Sequence, residues 1–129
     1  MGLRIVTAVA ALVSGLVHLK LWWFDGFRDI DVIGPAFLLN AVAGVVIAVL
    51  LLTWRHWVPA FLAAGFGAST LGAFIISTTP AGLFGVHERW EGVYVILAAI
   101  SEVVCLVAGL VLLVREWRAR ERTGVTTTA

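Results

Sequence analysis

Hydrophobic residues along this chain fall in four long blocks, roughly Leu3–Phe24, Val32–Trp54, Trp57–Thr79 and Gly92–Val114, separated by short polar interruptions. Each block reaches the roughly 20 residues that an α-helix needs to cross a hydrocarbon core about 30 Å thick. None shows the alternating pattern of a barrel strand, and a helix satisfies its backbone polar groups internally, as lipid demands. The punctuation agrees. Pro35 and Pro59 fall in the first turns of blocks two and three, where a missing N–H is tolerated, and Pro80 follows block three, where it stops a helix. The pattern predicts an all-α integral membrane protein, an antiparallel four-helix bundle. It forms one domain over residues 1–129, with a basic tail at 115–129.

Composition strengthens this reading. The 129 residues are 61% hydrophobic and 13% charged, whereas globular chains average about 25% charged. A soluble domain of this length has no core large enough to hide so much apolar surface. Arg4, at the head of the first block and before its long apolar stretch, suggests a signal peptide. However, the block outruns the usual apolar core of one and ends in Lys20, Trp22 and Trp23 rather than a small-residue cleavage site, so a retained helix is expected. The net charge of +1 offers nucleic acid no footing, and the single Cys105, inside an apolar run, excludes an intrachain disulfide and reads as a buried thiol.

Charge placement predicts orientation. One set of helix ends carries Arg4, Arg55, Arg115, Arg118, Arg120 and Arg122; the opposite loops carry Lys20, Arg28 and Arg89 with Asp25, Asp29, Asp31, Glu88 and Glu91. Basic residues favour the cytoplasmic side, which places both termini in the cytoplasm of a plasma-membrane protein. Trp22, Trp23, Trp54, Trp57, Trp90 and Trp117 sit near block ends, as an interfacial belt requires. The Arg55-His56 connection makes helices two and three antiparallel neighbours, with His56 at the interface. The tail is expected to extend the fourth helix, pairing Glu116 with Arg120, and to fray over Thr123–Ala129. Rows of small residues allow close helix packing in lipid: Thr7, Ala11 and Gly15 with His18 next; Ala64, Ala68 and Gly72; and Gly65, Ser69, Ala73 and Ser77.

Ionisable groups inside a span are costly, so candidate chemistry is sought there. Glu102 lies near the middle of the fourth block, His18 in the outer part of the first, and Asn40 about two turns into the second. These depths allow the three to meet in the outer half of the bundle, with Ser14, Ser77 and Ser101 at usable depths. Such a cluster is either a proton-handling or ligand-binding pocket, or a polar clasp that fixes helix register. His87 and Glu88 in the second outer loop are candidates for the pocket rim, against the alternative of a solvated loop, and Lys20 is expected to reach the headgroups and Asp25. No metal spacing and no nucleotide-binding or nucleophile motif occurs, so neither a metal site nor an autonomous enzyme is expected. No cofactor is predicted. Haem would need a second histidine at the depth of His18, and a quinone stays open as a ligand.

The four-span plan, the basic Arg4 before the first span, and Gly15 and His18 late in it resemble the DoxX-like small bacterial membrane proteins. That resemblance implies an accessory role in a redox or quinone-dependent membrane complex. Small multidrug-resistance transporters share the length but carry their carboxylate in the first span, whereas Glu102 is in the fourth. Two functions are therefore carried forward. One is a non-enzymatic accessory or assembly subunit, with lipid, a second copy or a larger membrane complex as partners. The other is a small proton-coupled transporter or lipophile- or quinone-binding protein using His18, Asn40 and Glu102.

Overall fold

A computed structural model describes residues 2–24, 26–88 and 92–128, with side chains described as far as Arg122. Asp25, Arg89, Trp90 and Glu91, which carry part of the expected loop charge and one interfacial tryptophan, lie outside the described residues, as do the tail side chains. The helices are α1 (Gly2–Phe24), α2 (Ile33–Thr53), α3 (Trp57–Ser77) and α4 (Val93–Thr128). All four are long and apolar enough to cross a membrane. The chain is thus a multi-pass membrane protein built as a four-helix bundle. Helix ends match the sequence pattern within two residues; α4 runs on through the basic tail, as expected, and stays helical to Thr128, over the stretch expected to fray.

Exposure follows the bilayer rather than water. Val6, Val9, Leu16, Val42, Val49, Ile100 and Val107 are exposed, while the interior is lined by Ala8, Ala11, Ala48, Ala60, Ala63 and Cys105. Lipid tails are as apolar as leucine, so small residues that let backbones approach closely decide which face turns inward. At the α1–α2 crossing a Cβ added to Gly44 would stand 2.6 Å from the Ala11 carbonyl oxygen and 3.1 Å from Gly15 Cα. At the α3–α4 crossing a Cβ on Gly67 would stand 2.6 Å from the Glu102 carbonyl oxygen, and one on Gly109 2.7 Å from Ala64 N. The row Thr7, Ala11 and Gly15 thus packs as expected, with His18 buried beyond it. On α3 the packed residues are Ala60, Ala63, Ala64 and Gly67. The expected row Ala64, Ala68 and Gly72 contributes only its first member, and an added Cβ at Gly65 or Gly72 would meet nothing within 4 Å.

α1 lies against α2 and α4, and α3 against α4. The short connection leaves α2 and α3 antiparallel, but they touch sparsely because a cavity separates their loop-side halves. At the other end Arg4 draws the bundle together. Expected at the membrane surface, it is instead 4% exposed. Its Nη1 donates to the carbonyls of Leu51 (2.9 Å) and Trp54 (3.1 Å), and its Nη2 to the His56 carbonyl (2.8 Å) and Glu116 Oε1 (2.7 Å). The last carbonyls of a helix have no partner within it, and the planar guanidinium fork can serve several at once. Glu116 therefore pairs with α1 rather than with Arg120 one turn on. His56 caps α3 by accepting from Val58 N at 3.3 Å and stacks on Trp54 with ring centroids 4.8 Å apart.

Two stability measurements follow, each read as reversible unfolding in mild detergent. Gly44→Ala forces backbone apart at the α1–α2 crossing and is expected to cost about 1–3 kcal/mol, whereas Gly65→Ala, with open space around it, costs nothing; equal effects would show that the crossing is not tight. Arg4→Met strands the Glu116 carboxylate and three carbonyls and is expected to cost about 3–5 kcal/mol. Arg4→Lys recovers little of this, because an ammonium cannot span the same acceptors. A Lys variant as stable as the parent would reduce Arg4 to a point charge.

Candidate functional site

Four helices bring one polar side chain each to a common depth. His18, Asn40, Thr70 and Glu102 stand six, seven, seven and nine residues from the loop-side ends of α1, α2, α3 and α4. At 1.5 Å per residue that is about 9–14 Å into the bundle. All four line a cavity of about 410 Å³, within the usual range of small-molecule sites. Phe27, Phe37, Phe66 and Phe74 supply much of its apolar wall. Leu39, 69% exposed on the lipid side of α2, also belongs to the lining, so the cavity lies at the α2–α3 seam.

The hydrogen bonds are one-sided. His18 Nδ1 lies 2.8 Å from the Ser14 carbonyl; a carbonyl only accepts, so Nδ1 carries the hydrogen and donates it. Nε2 then faces Glu102 Oε1 at 3.9 Å, too long for a hydrogen bond and within ion-pair distance only when the imidazole is protonated. Asn40 Nδ2 donates to Thr70 Oγ1 at 2.9 Å, and Thr70 Oγ1 donates onward to the Phe66 carbonyl at 2.7 Å. Glu102 is 2% exposed. Its Oε2 and Asn40 Oδ1 are buried with no hydrogen-bond partner among the described residues, as is Ser14 Oγ. Native interiors satisfy most such atoms, and each orphan costs about 1–3 kcal/mol.

The loop between α3 and α4 closes one end. Leu83 and Val86 pair across a tight turn, Gly82 and Gly85 take positive φ there, and Glu88 N donates to the Ser77 carbonyl at 3.0 Å. This turns Glu88 into the lining, where burial pushes its carboxyl above the usual range. His87 faces the other way: its Nε2 rests 3.1 Å from the Pro80 carbonyl, and it is not part of the lining. Of the two expected rim residues, only Glu88 takes that place. Lys20 sets its ammonium 4.1 Å above the Tyr94 ring, while Asp25, its expected neighbour, lies outside the described residues.

The expected trio therefore shares one cavity, with His18 beside Glu102 and Asn40 bonded across to α3. Thr70 is the member that sequence reasoning missed. Its signal was depth: it stands as far from the loop-side end of α3 as Asn40 does from that of α2. Comparison of the chain with protein-family models, curated proteins and solved structures finds no match in any of the three.

Proposed function

We propose that this protein binds a small lipophilic molecule with a polar head inside the membrane, and that any transport it performs runs through the same cavity. One observation carries the reading: Glu102 Oε2 and Asn40 Oδ1, both buried, line one cavity without hydrogen-bond partners among the described residues. A clasp serving helix register alone would satisfy its own polar atoms, as Asn40 Nδ2 and Thr70 do. The four phenylalanines offer the apolar body a wall, and the α2–α3 seam offers a route from the bilayer. A quinone falls within this class. Haem is disfavoured, since His18 is the one imidazole among the described lining residues.

A second reading, an accessory subunit in the manner implied by the DoxX-like resemblance, is favoured by α3. Its small residues Gly65, Ala68 and Gly72 turn away from the packed crossing and leave a face that a partner helix can approach. We also place both termini in the cytoplasm. Arg55, Arg115, Arg118, Arg120 and Arg122 remain exposed at the terminal end after buried Arg4 is set aside.

Native mass spectrometry of the full chain, extracted with its lipids at native expression, separates the two functions. Binding predicts a retained small-molecule mass that Glu102→Gln loses while helicity and melting are kept. If the variant keeps the mass, the cavity assignment fails; if it merely unfolds, the clasp reading prevails; added subunits support the accessory role. For orientation, a reporter active only in the cytoplasm should give signal when fused after Ala129. Signal from a periplasm-restricted reporter at that position would reverse the assignment.

A further inference from the structure

The polar atoms that line the cavity offer lone pairs and almost no hydrogens. Ser69 Oγ and Thr70 Oγ1 both donate to the Phe66 carbonyl, and Ser77 Oγ donates to the Phe74 carbonyl. His18 spends its Nδ1 hydrogen on Ser14. Asn40 spends one amide hydrogen on Thr70, and its oxygen has no partner among the described residues. Apart from the second Asn40 N–H and any proton on Glu88 or the His18–Glu102 pair, what remains for a ligand is acceptors: Asn40 Oδ1, Glu102 Oε2 and the hydroxyl lone pairs.

Charge points the same way. Glu88 and Glu102 both belong to the lining, and no Lys or Arg does among the described residues. A carboxylate at this depth needs a positive partner or a proton, and among the described residues His18 alone is at hand for Glu102. The walls add aromatic rings. Phe27 and Phe37 stack 4.8 Å apart between centroids, and Phe66 and Phe74 also line the cavity. Ring faces attract cations most strongly where water is excluded.

We propose that the ligand is a lipophilic ammonium, a primary or secondary amine in its protonated form. Its N–H groups bond Glu102 Oε2 and Asn40 Oδ1, and its apolar body lies along the phenylalanines. This rests on the binding reading above and names its ligand class. The positive head supplies the charge that Glu102 lacks, and its hydrogens satisfy both orphan acceptors. A neutral alcohol supplies a hydrogen without the charge, a quaternary ammonium the charge without a hydrogen, and a carboxylate neither.

Those four chemistries make the test. Naphthylmethylamine, naphthylmethanol, trimethyl(naphthylmethyl)ammonium and naphthoate are titrated by equilibrium dialysis against the full chain in detergent, with empty micelles correcting for partition. The amine is expected to bind at least about tenfold more tightly than each of the others, a difference of about 1.4 kcal/mol. Glu102→Gln should weaken the amine by a similar factor and leave the alcohol unchanged. Asn40→Leu, which removes the second acceptor without touching the carboxylate, should weaken the amine as well. Equal binding of the alcohol, the quaternary ion or naphthoate overturns the ammonium assignment while leaving the binding reading in place. If the native protein binds none of the four, yet still retains a small molecule on extraction, the ligand class alone falls. With no retained molecule either, both readings fall.

Discussion

The guanidinium of Arg4 is the constraint on which the rest of this bundle depends. One side chain on α1 satisfies the end of α2 at Leu51, the turn carbonyls of Trp54 and His56, and the Glu116 carboxylate of α4. In a protein whose helices gain little from apolar contact with one another, directional bonds to otherwise orphaned groups carry unusual weight. The positive charge also faces the carbonyl end of a helix, where the macrodipole favours it. Four elements are thereby gathered at the end of the bundle that holds both termini.

That gathering has a consequence at the other end. The pairs α1–α2 and α3–α4 are drawn together by glycines whose Cβ positions are already occupied by neighbouring backbone. α1 and α4 close the middle, but no comparable crossing draws α2 to α3, so the loop-side halves of those two helices stand apart. The polar side chains fall into this gap. The geometry explains why a chain with so apolar a composition has buried Glu102 and His18, with half-buried Asn40, lining a space. It also gives the proposed ligand its place, lateral to the bundle axis and within reach of lipid.

The helices and their approximate ends were legible because bilayer thickness imposes a length that an apolar block either meets or does not. The depths of His18, Asn40 and Glu102 were legible for the same reason, since rise per residue converts position to depth. Faces were harder. α3 is apolar around most of its circumference and has small residues on several sides, so no polar stripe marks which of Gly65, Gly67 or Gly72 meets α4; only Gly67 does. Arg4 was misplaced because a basic residue at the start of a span ordinarily marks the membrane surface, and nothing local shows that carbonyls about fifty residues away will converge on it. Glu116 was assigned to Arg120 by helix spacing, but the buried partner on α1 prevails.

The sequence by itself determined what is one-dimensional: the number of spans, their limits, and the depth of each polar group along the bilayer normal. Those follow from solvent thickness and helical rise, which act on each segment separately. Tertiary structure decided what depends on rotation about the helix axes and on pairing. It turned Glu88 inward and His87 outward, joined Asn40 to Thr70, buried Arg4, and left α2 and α3 apart. Lipid presents the same apolar medium to every side of a helix, so rotation is set only when small residues and hydrogen bonds from neighbouring helices meet.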